Sequence, residues 1–229
     1  MERLVARLDG ARPRLLLHCC CGPCSSAVLE YLCEHFDLTL LWYNPNIYPE
    51  SEYEKRYAAL RELIEKMRLE GRLSLITEPW QSGDYTARVK GLEAEPEGGA
   101  RCPVCFTLRL ERTAKLARTQ GFDYFCTTLT VSRHKDAVLL NALGEAAAQK
   151  YGVKWLPSDF KKKDGENRSV ELSEKYHIYR QLYCGCEFSL RARESAARKQ
   201  SASTSADADI STSTNIPAST DTSTEESQK

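Results

Sequence analysis

Eight of the ten cysteines in this 229-residue chain fall into three groups. The first is His18-Cys19-Cys20-Cys21-Gly22-Pro23-Cys24, the second Cys102-Pro103-Val104-Cys105 and the third Cys184-Gly185-Cys186. Two adjacent thiolates joined to a C-x-x-C pair supply four sulfur ligands, which suit either tetrahedral zinc or an iron–sulfur cluster. Neighbours such as Cys20 and Cys21 reach a single zinc ion with difficulty, whereas the separate irons of a cubane accept adjacent ligands more readily. Structural zinc and metal-free dithiol chemistry stay open as alternatives. The C-x-C spacing is too short for an unstrained disulfide, so Cys184 and Cys186 are either a labile redox pair or ligands to a second metal. Cys33 and Cys126 stand alone in apolar surroundings and read as core residues.

Other polar groups lie nearby in sequence. Lys161-Lys162-Lys163, with Arg168 just beyond, is the tight basic run of the chain. It is either a solvated loop or a phosphate-neutralising surface. Arg109 and Arg112 follow Cys105 and face either a phosphate or solvent. Asp159, Asp164 and Glu166 offer carboxylates for a metal or a proton. His18 is a ligand, a proton donor or a capped strand end. Tyr43, Tyr48, Tyr176, Tyr179, Tyr183 and Phe188 supply aromatic surface, of which one or two could stack on an unpaired base.

These residues need elements to carry them. Arg14–His18 reads as a buried strand, followed by a helix over Ser25–Phe36 with Val28, Leu29, Leu32 and Cys33 at helical spacing. Leu38–Tyr43 is the next strand, and Asn44-Pro45-Asn46-Ile47-Tyr48-Pro49 is a loop. Ser51-x-x-Glu54 has the form of a capping box opening a helix with the stripe Tyr53, Tyr57, Leu60, Ile64 and Met67. Leu73–Ile76 is a third strand, Gly91–Ala100 a loop, and Cys102–Gln120 a helix with Val104, Leu108 and Leu116 inward. Phe122–Thr128 and Val153–Leu156 are strands separated by a helix over Lys135–Lys150. Ser169–Tyr183 reads as the last long helix, and Glu187–Gln200 extends the helical end. This alternation predicts an α/β fold with an open, mostly parallel sheet flanked by helices. The site is then expected beyond the carboxyl ends of the strands, where the first cysteine group, Asn44–Tyr48 and the Thr127–Lys135 loop converge.

The balance of charge hides an asymmetry. Lys plus Arg and Asp plus Glu both number 32. Residues 201–229 carry −4, so residues 1–200 carry +4. Fourteen of those last 29 residues are Ser or Thr, which predicts a disordered tail with no core of its own. The expected organisation is one catalytic domain over 1–200, a helical C-terminal part, and the tail over 201–229. No run approaches the ~20 apolar residues of a membrane span, and no secretory signal is recognisable. Ten cysteines without an oxidising address point to a cytoplasmic protein that uses thiols for metal or redox chemistry.

The motifs together resemble a known family. They are Leu15-Leu16-Leu17-His18 leading into Cys20-Cys21-Gly22-Pro23-Cys24, Tyr43-Asn44-Pro45-Asn46-Ile47-x-Pro49, and Arg101-Cys102-x-x-Cys105-Phe106-x-Leu108-Arg109. Thr127-Thr128-Leu129-x-x-Ser132, Asp159-Phe160-Lys161-Lys162 and Tyr179-Arg180-Gln181-x-Tyr183-Cys184-Gly185-Cys186 complete the set. From about Arg14 to about Ser189 the chain resembles the epoxyqueuosine reductases of the QueH type. The resemblance implies an oxidoreductase that performs the last step of queuosine biosynthesis, the two-electron reduction of epoxyqueuosine at the wobble position of tRNA. It implies a nucleotide α-hydrolase-like fold, a [4Fe–4S] cluster and an additional mononuclear iron. Carried over by motif, Cys20, Cys21, Cys102 and Cys105 match the cluster ligands, and Cys184 and Cys186 the redox-active pair. Cys24 is one helical turn beyond, placed to serve the second metal. Cys19 is an extra cysteine beside the matched pair. Asp159 is a candidate proton donor, and Lys161, Lys162, Lys163 and Arg168 are candidates for holding tRNA. The electron donor is not identified. The alternative is a cysteine-rich zinc or thiol-dependent protein that binds tRNA or transfers sulfur.

Overall fold

A computed structural model of the protein describes residues 1–210. Its centre is a five-stranded, all-parallel sheet in the order β3-β2-β1-β4-β5. The strands are β1 (Arg14–His18), β2 (Asp37–Trp42), β3 (Leu73–Thr77), β4 (Tyr124–Thr127) and β5 (Lys154–Trp155). Leu15, Leu16 and Leu17 are wholly buried. An uninterrupted apolar run is what a central parallel strand covered on both faces requires. Edge strand β3 is only half-buried. The open parallel α/β sheet expected from the alternation is the architecture found.

The helices divide into two packed groups. α2 (Gly22–Leu32) lies against α3 (Glu50–Lys66) and α7 (Gly165–Lys175), while α5 (Arg101–Thr119) lies against α6 (Ala137–Tyr151) and strands β1 and β4. α2 starts three residues before the expected Ser25, because Pro23 sits in its first turn and the Cys21 sulfur accepts the Cys24 N–H at 3.3 Å. Gly22 has no freedom to be larger: a Cβ there would lie 2.8 Å from the Ala59 carbonyl oxygen of α3.

Several boundaries differ from expectation for identifiable reasons. The Ser51 capping box does not form. α3 begins at Glu50 behind Pro49, and no side chain caps it; Glu50 and Glu52 in the first turn complement the helix dipole instead. Ser169–Tyr183 is not one helix. α7 spans Gly165–Lys175, and His177 then takes φ 51°, a left-handed conformation that ends helical geometry. The segment from Ile178 to Cys184 runs on as an irregular strap. Val104 and Leu116 are half-buried, and Leu108 is buried as expected. Short helices α1 (Glu2–Val5) and α4 (Gly83–Arg88) and a 3-10 turn over Thr128–Val131 have no counterpart in the sequence reading.

Met1–Leu190 form one compact unit. The last helix, α8, runs from Glu187 to Ile210. The remainder of the Ser/Thr-rich tail, residues 211–229, lies outside the described residues. Among the described residues, no helix is long and apolar enough to cross a membrane.

Candidate metal centre and cavity

Strand order reverses between β1 and β4, and the chain leaves both strands at the same sheet edge. That crevice is the usual ligand site of an open parallel sheet. The turn after β1 delivers the cysteines, and the turn after β4 holds them. The Thr128 hydroxyl oxygen accepts the Cys20 N–H at 3.2 Å, and the hydroxyl lies 3.4 Å from the Cys20 sulfur. His18 anchors the same junction. Its Nδ1 pairs with Thr127 Oγ1 at 2.9 Å and its Nε2 donates to the Tyr43 carbonyl at 3.1 Å. Burial, reinforced by the charge of Arg109, pulls its pKa to about 4. Both ring nitrogens are engaged and the ring is wholly buried, so His18 is a structural clamp, not a ligand.

The sulfurs sort by direction. Cys19 points into the core, its thiol donating to Leu17 O at 3.6 Å, and burial raises its pKa. Cys20, Cys21 and Cys24 gather with their sulfurs mutually within 4.8 Å. They are the one such group of three or more potential ligands among the described residues. Hydrogen bonds from the thiols of Cys21 and Cys24 hold the Cys20 pKa well below the ordinary thiol value. Burial pushes Cys21 up, and the neighbouring sulfurs of Cys20 and Cys21 push Cys24 up. Of the three, the thiol of Cys20 is the one whose deprotonation is favoured. Gln181 of the strap donates to the Cys21 sulfur at 3.1 Å.

The other cysteines surround this trio without joining it. Cys102 and Cys105 occupy the first two turns of α5. The Cys102 sulfur accepts the Gly98 N–H at 3.2 Å, and that of Cys105 accepts from Arg109 Nη2 at 3.3 Å. Arg109 is buried, and among the described residues no carboxylate contacts it. Burial works against its charge, but Cys105, Cys184 and Cys20 outweigh it and raise its pKa. One guanidinium therefore stands in the field of all three cysteine groups. Cys184 is half-buried, and burial pushes its pKa up to about 12. Cys186 is buried, with its thiol donating to Ser189 Oγ at 3.5 Å. Cys33 and Cys126 are buried core residues, as their spacing indicated.

A cavity of about 480 Å³ opens beside Cys20, Cys24 and Cys184. Its walls include Asn44, Asn46, Arg56, Arg109, Lys135, Arg180, Gln181 and Tyr183. Arg56 is buried, paired to Glu52 at 2.7 Å, and donates to the carbonyls of Cys184 and Tyr183 at 3.1 and 3.2 Å. This ties the strap to α3. Gly185, at φ +132°, brings its backbone close enough to Arg56 that a Cβ would lie 2.9 Å from Nη1.

Of the remaining candidates, Glu166 lines the cavity, paired to Arg133 at 2.7 Å, and the others lie off its walls. Asp159 is 3.1 Å from Lys161 and 3.9 Å from Lys162. Arg168 binds Glu30 at 2.8 Å and Glu171 at 3.0 Å. None of Asp159, Lys161, Lys162, Lys163 and Arg168 lines the cavity. Arg112 pairs with Glu78 at 2.7 Å. Lys135, Arg180 and Gln181 were not singled out from sequence. Arg180 and Gln181 lie within a quoted motif, whereas Lys135 offered no signal beyond its place at the end of the loop after β4.

The donor set fits a soft metal. A tetrahedral ion with sulfur at ~2.3 Å separates its ligands by about 3.8 Å, and the sulfurs of Cys20 and Cys21 are 3.8 Å apart. Among the described residues, no carboxylate or imidazole joins the trio, which favours zinc or an iron–sulfur centre over harder ions. Buried acceptors Asn44 Oδ1, Asn46 Oδ1 and Gln181 Oε1 have no donor among the described residues.

A profile of the family described as "Epoxyqueuosine reductase QueH" matches residues 15–192. A protein of that name from Streptococcus pyogenes serotype M1 is 43% identical over 183 residues, covering 79% of this chain and 72% of the relative. Another from Staphylococcus epidermidis is 44% identical, covering 79% and 78%. A third, from Thermotoga maritima, is 39% identical, covering 77% and 90%.

Proposed function

Since the chain belongs to the epoxyqueuosine reductase QueH family, we propose that its cysteine-lined cavity is where epoxyqueuosine in tRNA is reduced to queuosine. The reaction is a reductive deoxygenation, the last step of queuosine biosynthesis. An epoxide, two electrons and two protons give an alkene and water. The observation that carries this reading is the gathering of Cys20, Cys21 and Cys24 at the reversal point of the sheet, open to a cavity of nucleoside dimensions.

We assign a [4Fe–4S] cluster to Cys20, Cys21, Cys102 and Cys105, and a second iron to the neighbourhood of Cys24. When bound, such centres supply single electrons at low potential and a Lewis acid for the epoxide oxygen. The protein's own groups prepare that chemistry. Arg109 offsets the negative charge of several thiolates in a buried place where it would otherwise be costly. Arg56 and Gln181 fix the strap, so that Cys184 stays on the cavity wall and Cys186 two residues on, where a thiol pair can relay reducing equivalents. Tyr183 offers a ring for stacking on a base. Lys161, Lys162, Lys163 and Arg168 are assigned to the RNA backbone outside the cavity. The wobble base is already unpaired in the anticodon loop, so little unstacking is required. The electrons come from a low-potential donor in the cytoplasm, where the thiols stay reduced.

The test is direct. Anaerobically purified protein should be brown, with about four irons per chain attributable to the cluster. Given a low-potential reductant and epoxyqueuosine-bearing tRNA, it should yield queuosine, read by nucleoside mass spectrometry as loss of one oxygen. Iron-loaded protein that leaves the nucleoside unchanged removes the proposal. Cys102→Ser and Cys105→Ser should each lose the colour and the turnover together.

A further inference from the structure

The reduction needs a proton at the oxygen that leaves carbon, and no group considered so far supplies it. His18 has both ring nitrogens occupied, Asp159 pairs with lysines away from the cavity, and the Tyr183 hydroxyl donates to the Tyr48 carbonyl. The cations on the cavity wall differ in what already engages them. Arg56 is held by Glu52, Arg133 by Glu166 at 2.7 Å, and Arg109 by the Cys105 sulfur. Arg180 is exposed at the rim. Lys135 alone is half-buried on the wall with no hydrogen bond or ion pair from its ammonium among the described residues.

The backbone of Lys135 is fixed from several directions. Its N–H donates to Ser132 O at 3.1 Å, its carbonyl accepts from Lys161 Nζ at 3.3 Å, and Asp136 next to it caps α6 through the N–H groups of Val138 and Leu139. The Asp136 carboxylate is thereby committed to the helix. We propose that Lys135 is the catalytic residue that donates a hydrogen bond, and then a proton, to the epoxide oxygen. This rests on the reading of the cavity as an epoxyqueuosine site.

The step balances. As the first C–O bond breaks, its electron pair leaves with oxygen as an alkoxide, a far stronger base than an amine, and one proton passes from Nζ. As the second C–O bond breaks, oxygen leaves as hydroxide and takes a second proton from solvent. The two electrons are those the proposed reaction draws from its reductant, and the neutral amine regains its proton through the open cavity. Lys135 begins this cycle charged. A lysine is an ammonium at neutral pH, and the Cys20 thiolate favours that form against burial and the repulsion of Arg109.

The experiment uses the full chain loaded anaerobically, with tRNA carrying epoxyqueuosine. Lys135→Met should lower the single-turnover rate by about 10²- to 10⁴-fold, the usual range for losing a general acid, with tRNA affinity, iron content and midpoint potential unchanged. Lys135→Arg should retain more of the rate than Lys135→Met. In Lys135→Ala, added methylammonium should restore part of it. An unchanged rate in Lys135→Met overturns the proposal. So does a rise in KM at constant kcat, which makes Lys135 a phosphate contact, or a shift of midpoint potential that accounts for the loss, which makes it act through the cysteines. Failure of wild-type protein to form queuosine is a separate result, and it bears on the parent reading.

Discussion

At the scale of the residue, this protein depends on charges kept where water is scarce. Arg109 is set against thiolates, and His18 stays neutral because an imidazolium at its place would be buried beside that guanidinium. The cost can be measured. Unfolded His18 gains a proton near pH 6.5, while the folded ring resists until about pH 4. Stability from this group is therefore complete above pH 6.5 and falls as pH drops toward 4, by about 3 kcal/mol at most. Urea titrations across that window should show a shallower loss for His18→Gln than for wild type. An equal slope would mean that His18 is charged in the fold. A second change addresses the guanidinium. Arg109→Leu should cost about 3–5 kcal/mol, as expected when a buried ionic network loses one partner, and iron retention should fall with it; Arg109→Lys should recover part of both. The cysteines were legible in the sequence because residue type and spacing announce sulfur chemistry. The Lys135 and Gln181 placements were not, since each depends on a loop folding back from more than a hundred residues away.

At the scale of the element, the site is mounted on the first turn of α2, and two glycines test how tightly such mounts are built. A Cβ at Gly22 would lie 2.8 Å from the Ala59 carbonyl, and one at Gly144 would overlap the Trp155 indole. Either alanine should destabilise by about 1–3 kcal/mol through overpacking, against a return of at most ~1 kcal/mol in helix propensity. Thermal unfolding should register a few degrees for each, at about 2–4 °C per kcal/mol. Their effects on metal should part company. Gly22→Ala displaces the turn that carries Cys21 and Cys24 and should lower the iron content, whereas Gly144→Ala lies between α6 and β5 and should leave it intact. Strands β1 and β2 were readable because leucine runs covered on both faces have little else to become. The strap was misread as helix because Glu174–Tyr183 has ordinary helical residues. Its departure at His177 is imposed by distant partners, with Gln181 on Cys21 and Arg56 on the carbonyls of Tyr183 and Cys184. Ser51 was misread because Pro49 had already taken the position that a cap would fill.

At the scale of the whole molecule, the basic excess of residues 1–200 is the feature an RNA meets first. The affinity for tRNA should fall with rising salt, and Lys161→Ala, Lys162→Ala and Lys163→Ala combined should flatten the log–log slope by about 1–2 units, at ~0.7 for each phosphate no longer neutralised. Lys161 faces Asp159 at 3.1 Å and Lys162 faces it at 3.9 Å, so Lys161 should contribute less than Lys162. An unchanged slope would place the RNA path elsewhere, with Arg180 and Arg133 at the cavity rim the next residues to replace. The strap carries a further consequence, one of timing. Cys20 and Cys21 leave the ribosome about 160 residues ahead of Gln181 and Cys184, an interval of roughly 8–30 s at ordinary rates of synthesis. Throughout that interval the nascent chain holds reactive sulfur without its last wall. Iron delivery should therefore follow release of the finished polypeptide, and chains cut short before Gln181 should emerge colourless however much iron the cell supplies.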